Sequence, residues 1–149
     1  MLGMAESATQ TITIGASPDH CFAVATDFPR YPQWAKDVKE AVVQQTDEQG
    51  RATAVEFRAS ALGRSTHYTL GYDYSAAPEK LSWQLIRGDI MRAIDGAYTF
   101  TPSATDPGAT DVVYELSIEL VVPLPGFVKR RAEVRILNTV KELKARAEA

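Results

Sequence analysis

The order of strand-like and helix-like segments constrains the fold of this chain more than any other feature of its sequence. An alternating segment at 8–14 leads to Ser17 and Pro18, which suit the N-cap and the first position of a helix. A second short helix is expected at 30–34, before a long strand-like stretch. From Phe127 the apolar residues recur every three or four positions, as on one face of a helix. This order predicts an α+β fold in which a curved antiparallel sheet grips the last helix.

Turn-forming residues divide the strand-like stretch into separate strands. Candidate strands lie at 41–46, 51–62, 66–74, 81–85, 94–100 and 112–120. The segments 47–50 and 87–89 and the Pro- and Gly-containing segment 101–108 are typical of the turns between strands. In the last strand, apolar side chains alternate with mostly polar ones from Val112 to Leu120, so we expect one face to be buried.

The size and composition of the chain fit one globular domain that covers residues 1–149. Its 149 residues can bury a substantial core, and its net charge of -3 argues against general affinity for nucleic acid. One Cys and two His residues are a poor set for zinc, so no metal or other cofactor is expected. We find no signal-like apolar stretch after the start and no run long enough to span a membrane. The simplest expected location is the cytoplasm.

Charge is unevenly distributed between the last helix and the rest of the chain. From Phe127 onward there are seven basic and three acidic residues, a balance of +4 that leaves -7 for the remainder. Lys129, Arg130 and Arg131 form the densest basic group. The helix could be an ordinary solvated face with cations toward its C-terminus. Alternatively, these three residues could form a patch for an acidic protein partner or an anionic membrane.

Several segments resemble one known superfamily. Segment 16–34, Ala-Ser-Pro-Asp-His-Cys-Phe-Ala-Val-Ala-Thr-Asp-Phe-Pro-Arg-Tyr-Pro-Gln-Trp, together with the strand before it, resembles the opening of START-like proteins of the birch-pollen-allergen type. Segments 96–102 and 110–116 resemble the late hairpin of these proteins, and 124–133 resembles their approach to the last helix. More narrowly, the chain is similar to bacterial polyketide cyclase/dehydrase-type (SRPBCC) proteins, particularly actinobacterial members of unknown function.

The resemblance implies a helix-grip fold. This fold has a seven-stranded curved antiparallel sheet, two short helices after the first strand and a long C-terminal helix over the concave face. Members of the superfamily include lipid and sterol carriers, aromatase/cyclases, coenzyme Q-binding proteins, ribosome-binding toxins and chaperone co-activators. Because one fold of this kind hosts many functions, the resemblance constrains the architecture more than the activity.

Aromatic side chains dominate the face that we expect to be concave. Their apolar rings and polar hydroxyl or indole groups suit a cavity for an amphipathic ligand, although an ordinary core would use the same residues. If Arg58 and Arg92 point inward, they could bind a carboxylate or polarise a carbonyl oxygen; either could instead lie on the outer surface. The candidate ligand-binding residues are Trp34, Arg58, Tyr68, Leu70, Tyr72, Trp83, Arg92, Tyr98, Phe100, Tyr114, Leu116, Val128, Ala132 and Ile136.

These features favour a protein that binds or transports a small hydrophobic or amphipathic molecule, such as a lipid, a polyketide or an aromatic compound. An alternative is a polyketide cyclase or dehydratase in which Arg58 or a tyrosine assists enolisation. A third hypothesis is an interaction module that uses the basic last helix. No nucleophile elbow, phosphate loop or HExxH motif is present, so the sequence assigns no catalytic residue and favours binding over catalysis.

Overall fold

The structure is a computed structural model that describes residues 5–61, 63–121 and 125–149. Its helices and strands follow the predicted order. Most run a few residues beyond the predicted limits, and Leu62, the predicted end of the third strand, lies outside the described residues. The elements are β1 Ala5–Ile14, α1 Pro18–Thr26, a 3₁₀ helix Phe28–Gln33, β2 Val38–Thr46, β3 Ala52–Ala61, β4 Arg64–Asp73, β5 Lys80–Gly88, β6 Met91–Pro102, β7 Thr110–Leu120 and α2 Gly126–Glu148. Neither α1 nor α2, in its described part, combines the length and the apolar character that crossing a bilayer requires.

All seven strands form one antiparallel sheet, in the order β1-β7-β6-β5-β4-β3-β2. Strands β2 to β7 pair consecutively in chain order, and β1 pairs with the free side of β7. The pairing of β1 runs from Ala5 opposite Glu119 to Ile14 opposite Thr110. The seven-stranded antiparallel sheet, the two short helices and the C-terminal helix confirm the predicted helix-grip fold.

Strand alternation sorts the side chains of the sheet onto two faces. Side chains on the concave face form the core and include the fully buried Val55, Leu81 and Val112. Their chain neighbours point to the opposite, convex face, where exposed charged residues such as Asp95 and Glu115 lie. The functional site therefore has to be sought mainly on the concave face.

The segment after β1 closes one end of the concave face. The Ser17 side chain accepts a hydrogen bond from the backbone N–H of His20 at 3.2 Å, so the predicted N-cap of α1 is confirmed. In the 3₁₀ helix, Phe28 is fully buried, and the Tyr31 hydroxyl donates to the carbonyl oxygen of Ala25 at 2.5 Å. This buried bond fixes the short helix against α1.

The C-terminal half of α2 anchors that helix to the rest of the fold. Val140, Leu143 and Ala147 are buried in the core, and the described contacts of α2 include β1, α1 and β7. The Glu148 carboxylate also accepts the backbone N–H of Gly15 at 2.6 Å. The helix is thus held along one side and at its C-terminal end.

The turn between β5 and β6 lies later in the chain than its sequence predicts. Turn residues were expected at 87–89, whereas β5 continues to Gly88. The Asp89 carboxylate accepts hydrogen bonds from the Thr66 hydroxyl and from the backbone N–H groups of His67, at 3.0 Å, and Ile90, at 2.6 Å. The Thr66 bond, followed by the two backbone bonds, lowers the pKa of the Asp89 carboxyl. One ionised carboxylate therefore fixes this turn against β4.

Candidate functional site: an aromatic interior

A continuous series of aromatic side chains crosses the concave face. The rings of Tyr114 and Tyr98 stack with centroids 4.9 Å apart, and Tyr98 lies 5.2 Å from Trp83. Trp83 lies 5.8 Å from Tyr72, which in turn lies 4.5 Å from Phe28. The series runs from β7 through β6, β5 and β4 to the 3₁₀ helix, because strand register places these residues side by side.

Gly96 makes room for the centre of this series. It lies opposite Trp83 on the paired strand, and a Cβ atom at this position would come within 2.3 Å of Cε2 of the indole. The Trp83 ring therefore lies directly across the backbone of β6. A side chain at position 96 would force the indole away from Tyr98 and Tyr114.

Several side chains on this face retain accessible surface. Tyr68, Tyr72, Leu85 and Leu116 are only half-buried, although they project from the concave face. Burial nevertheless raises the pKa of Tyr68 to about 12 and that of Tyr72 well above its usual value, so both phenols are remote from bulk water. The concave face therefore keeps accessible phenolic and apolar surface at these four positions.

The phenol groups of the interior lie close enough to influence one another. Burial is the main cause that raises the pKa of Tyr31, and the neighbouring phenols of Tyr72 and Tyr114 add to it. Burial likewise raises the pKa of Tyr98, with contributions from Tyr31 and Tyr114. At neutral pH these groups are uncharged hydroxyls that can both donate and accept hydrogen bonds.

These shifts predict a cooperative alkaline transition. All six tyrosines have raised pKa values in the folded chain, against about 10 when unfolded. The folded state therefore holds protons that the unfolded chain releases, so stability is intact below about pH 10 and is lost as the pH rises through about 12. Tyrosinate absorbance and far-ultraviolet circular dichroism should change together. Complete ionisation with the dichroism intact would contradict this prediction, and urea-unfolded protein, which should titrate near 10, is the control.

The structure brings most of the predicted lining residues onto one face. Trp34 is half-buried at the end of the 3₁₀ helix, with its ring 4.7 Å from that of Tyr31. The side chains of Val128, Ala132 and Ile136, which were predicted to complete the lining from α2, lie outside the described part of the chain. The predicted residues found on the concave face are Tyr68, Leu70, Tyr72, Trp83, Tyr98, Phe100, Tyr114 and Leu116.

Arg58 and Arg92 do not lie in the interior, which corrects the expectation that they could orient a ligand there. Arg58 follows the buried Phe57 and, at a period of two, its side chain lies on the convex face opposite His67. The Arg92 side chain is 58% exposed and forms an ion pair with Glu119 at 3.4 Å. The pairing of β6 with β7 shifts register between Met91 and Ala93, which lie on either side of Arg92. At this shift the side chain of Met91, and not that of Arg92, is buried.

Aromatic residues of the interior that are absent from the predicted set include Phe28, Tyr31 and Phe57. Phe28 and Tyr31 come from the 3₁₀ helix, and Phe57 comes from β3, where its ring lies 5.5 Å from that of Tyr68. The alternation of Val55, Phe57 and Ala59 along β3 is a sequence signal from which Phe57 could have been added to the predicted lining residues. The contribution of the 3₁₀ helix has no such periodic signal.

Polar contacts join α2 to the segment around the 3₁₀ helix. Arg135 bonds to the Asp37 carboxylate at 2.5 Å, and the backbone N–H of Lys36 donates to Glu142 at 3.0 Å. Arg146 donates to the Gln33 side chain at 2.9 Å. These exposed contacts line up along one side of α2 and each contributes little to stability. Their role is to set the position of the helix beside the interior.

The curved sheet, the helix held along its side and the aromatic interior define a protein with the helix-grip fold. The family described as "Polyketide cyclase / dehydrase and lipid transport" matches residues 5–148, and the chain belongs to this family. No curated protein sequence matches the chain.

Solved structures with this fold cover nearly the whole chain at low sequence identity. A START superfamily protein from Mycobacterium smegmatis is 24% identical, with a TM-score of 0.86 over 95% of this chain and 97% of that one. The Zhui aromatase/cyclase from Streptomyces sp. R1128 is 14% identical, with a TM-score of 0.79 over 97% and 94%. Major latex-like protein 151 from Panax ginseng is 9% identical, with a TM-score of 0.68 over 99% and 100%. At these identities the likeness concerns the fold alone.

Proposed function

We propose that this protein binds a small, largely apolar and uncharged molecule between the sheet and α2, and carries it rather than converting it. The observation that supports this proposal is the accessible surface of Tyr68, Tyr72, Leu85 and Leu116 on a face otherwise built as a core. Apolar surface of this kind favours an apolar occupant, by about 25 cal/mol for each Å² removed from water.

The hydroxyl groups of the tyrosines supply the specificity. Phenols can donate to a carbonyl oxygen of a ligand or accept from its hydroxyl group, and their aromatic rings stack on planar groups. Because their pKa values are raised, they stay protonated across the physiological range. A ligand with a flat ring system and a few oxygen atoms would match this set, as an aromatic compound or a polyketide does.

Charge in the described part of the interior supports an uncharged ligand. The two arginines that could have paired with a carboxylate, Arg58 and Arg92, lie on the convex face. An ionised ligand buried among phenols would lose its hydration without gaining an opposite charge, which is costly. We therefore expect a neutral molecule to bind more tightly than its carboxylate analogue.

The alternative of a cyclase or dehydratase was based on Arg58 or a tyrosine, and it loses Arg58. Arg58 lies outside, where it cannot polarise a carbonyl oxygen of a bound substrate. The enclosed tyrosines stay protonated at neutral pH, so they can donate hydrogen bonds to a carbonyl oxygen but do not act as bases. Binding without conversion is therefore the function that the geometry supports best.

A pair of neighbouring substitutions tests the location of the ligand. Leu116 faces the interior beside Gly96, whereas Ser117 lies next to it on the convex face, opposite Asp95. Leu116→Trp should fill part of the interior and weaken binding of naphthol, a neutral probe, by at least about tenfold. Ser117→Trp adds the same side chain outside and should leave binding unchanged. Titration monitored by probe fluorescence measures both, and circular dichroism checks the folding of each variant.

The preference for an uncharged ligand is tested in the same assay by comparing naphthol with naphthoate, which has the same rings and an ionised carboxylate. We expect naphthoate to bind at least about tenfold more weakly. Equal binding of the two probes would overturn the preference for uncharged ligands and leave the binding function standing. The binding function itself would be overturned if neither probe bound and native mass spectrometry of protein from its own host showed an empty chain.

A further inference from the structure

We propose that the first half of α2, together with the end of β7, docks onto an anionic membrane surface. The docking patch consists of Arg130, Arg131 and Val134 on α2 and Val121 after β7. All four side chains are exposed, and the exposed fractions of Val134 and Val121 are 58% and 45%. This inference goes beyond the proposed function, because it concerns a surface outside the interior and a second kind of partner.

The helix periodicity brings the basic and apolar residues of the patch together. Arg130 and Val134 are four positions apart and Arg131 and Val134 are three, so the three side chains are neighbours on one face. Arg135 follows on the same turn but is already bound to Asp37. Arg130 and Arg131 therefore place two exposed guanidinium groups one turn before the exposed Val134.

Val121, the part of the patch that follows β7, lies next to the interior. Val121 continues directly from Leu120 at the end of β7, and its backbone N–H donates to the carbonyl oxygen of Ile90 at 3.0 Å. Ile90 and Leu120 are half-buried and pack against the core. A surface on which Val121 rested would thus be close to the apolar residues at this end of the concave face.

The combination of residues favours a bilayer over an acidic protein. Guanidinium groups bind lipid phosphates, and the neighbouring valines can enter the region between head groups and acyl chains. The rest of the chain carries a net charge of -7 against +4 from Phe127 onward, so an anionic surface would attract this helix and repel the opposite side. This charge distribution would orient the protein with the patch toward the membrane.

Vesicle flotation tests the patch with a matched control. The wild-type chain should float with vesicles of phosphatidylglycerol in phosphatidylcholine, and not with phosphatidylcholine alone. Arg130→Glu with Arg131→Glu should weaken this binding by at least about tenfold. Lys39→Glu with Lys80→Glu changes the net charge equally at exposed positions in β2 and β5, and should retain binding. Val134→Ser, which leaves the charge unchanged, should weaken binding less than the double arginine substitution does.

Three results would overturn the membrane proposal. These are no flotation of the wild-type chain with anionic vesicles, equal loss in both charge-reversed variants, and full binding by the variant with both arginines reversed. Naphthol binding should be unchanged in that variant, because neither arginine is part of the proposed lining. Failure of membrane docking can therefore be distinguished from failure of ligand binding.

Discussion

Replacing Leu143 with alanine should lower the free energy of unfolding by about 2–5 kcal/mol. Leu143 is fully buried and lies in the same core as Val140 and Ala147, which hold the C-terminal half of α2. Removing its isobutyl group leaves a cavity under a helix whose exposed polar contacts contribute little. Urea unfolding monitored by circular dichroism measures the change in stability.

The same helix provides the control for this prediction. Val134 is 58% exposed, so Val134→Ala should change the free energy of unfolding by no more than about 0.5 kcal/mol. If Leu143→Ala were equally mild, the C-terminal half of α2 would not be the anchor that the structure indicates. If Val134→Ala were the more costly of the two, the helix would have to be rotated relative to the sheet.

The anchoring of α2 also bears on ligand binding. A ligand between α2 and the sheet requires the helix to stay in position while part of the concave face remains uncovered. Val140 and Leu143 anchor the C-terminal half of the helix by their burial in the core, whereas Arg130 and Val134 in its first half are exposed. We therefore expect Leu143→Ala to weaken naphthol binding as well, whereas Val134→Ala should leave it unchanged.

The frame of the fold could be predicted from sequence because its signals are local. Strand alternation, the Ser17-Pro18 helix start and the periodicity change at Phe127 each depend on residues close together in the chain. The concave positions of Tyr72, Trp83 and Tyr98 followed from alternation within single strands.

The orientation of the arginines and the contents of the 3₁₀ helix could not be predicted in this way. Arg58 belongs to a strand in which either face could have been the inner one, and Arg92 lies where a register shift interrupts the alternation. Phe28 and Tyr31 reach the interior only because the 3₁₀ helix packs against the sheet. Each of these positions depends on contacts between segments that are distant in sequence.

Gly96 is the position at which a single added methyl group should do most damage to the aromatic interior. We expect Gly96→Ala to lower the free energy of unfolding by about 1–3 kcal/mol, because its Cβ would lie 2.3 Å from the Trp83 indole. The ring cannot simply move aside, since Tyr72, Tyr98 and Tyr114 already pack around it. Urea unfolding measures the loss, and near-ultraviolet circular dichroism reports the changed packing of the indole.

Gly71→Ala, on β4, is the matched control. The Cβ at Gly71 would meet Cδ1 of Ile86 at 3.2 Å, and that side chain is 52% exposed and free to turn into solvent. We therefore expect a change of no more than about 0.5 kcal/mol. Combining Gly96→Ala with Trp83→Leu should cost less than the sum of the two single substitutions, because the smaller side chain relieves the overlap. Strict additivity would mean that the indole does not lie across Gly96, and the central contact of the aromatic series would then have to be assigned differently.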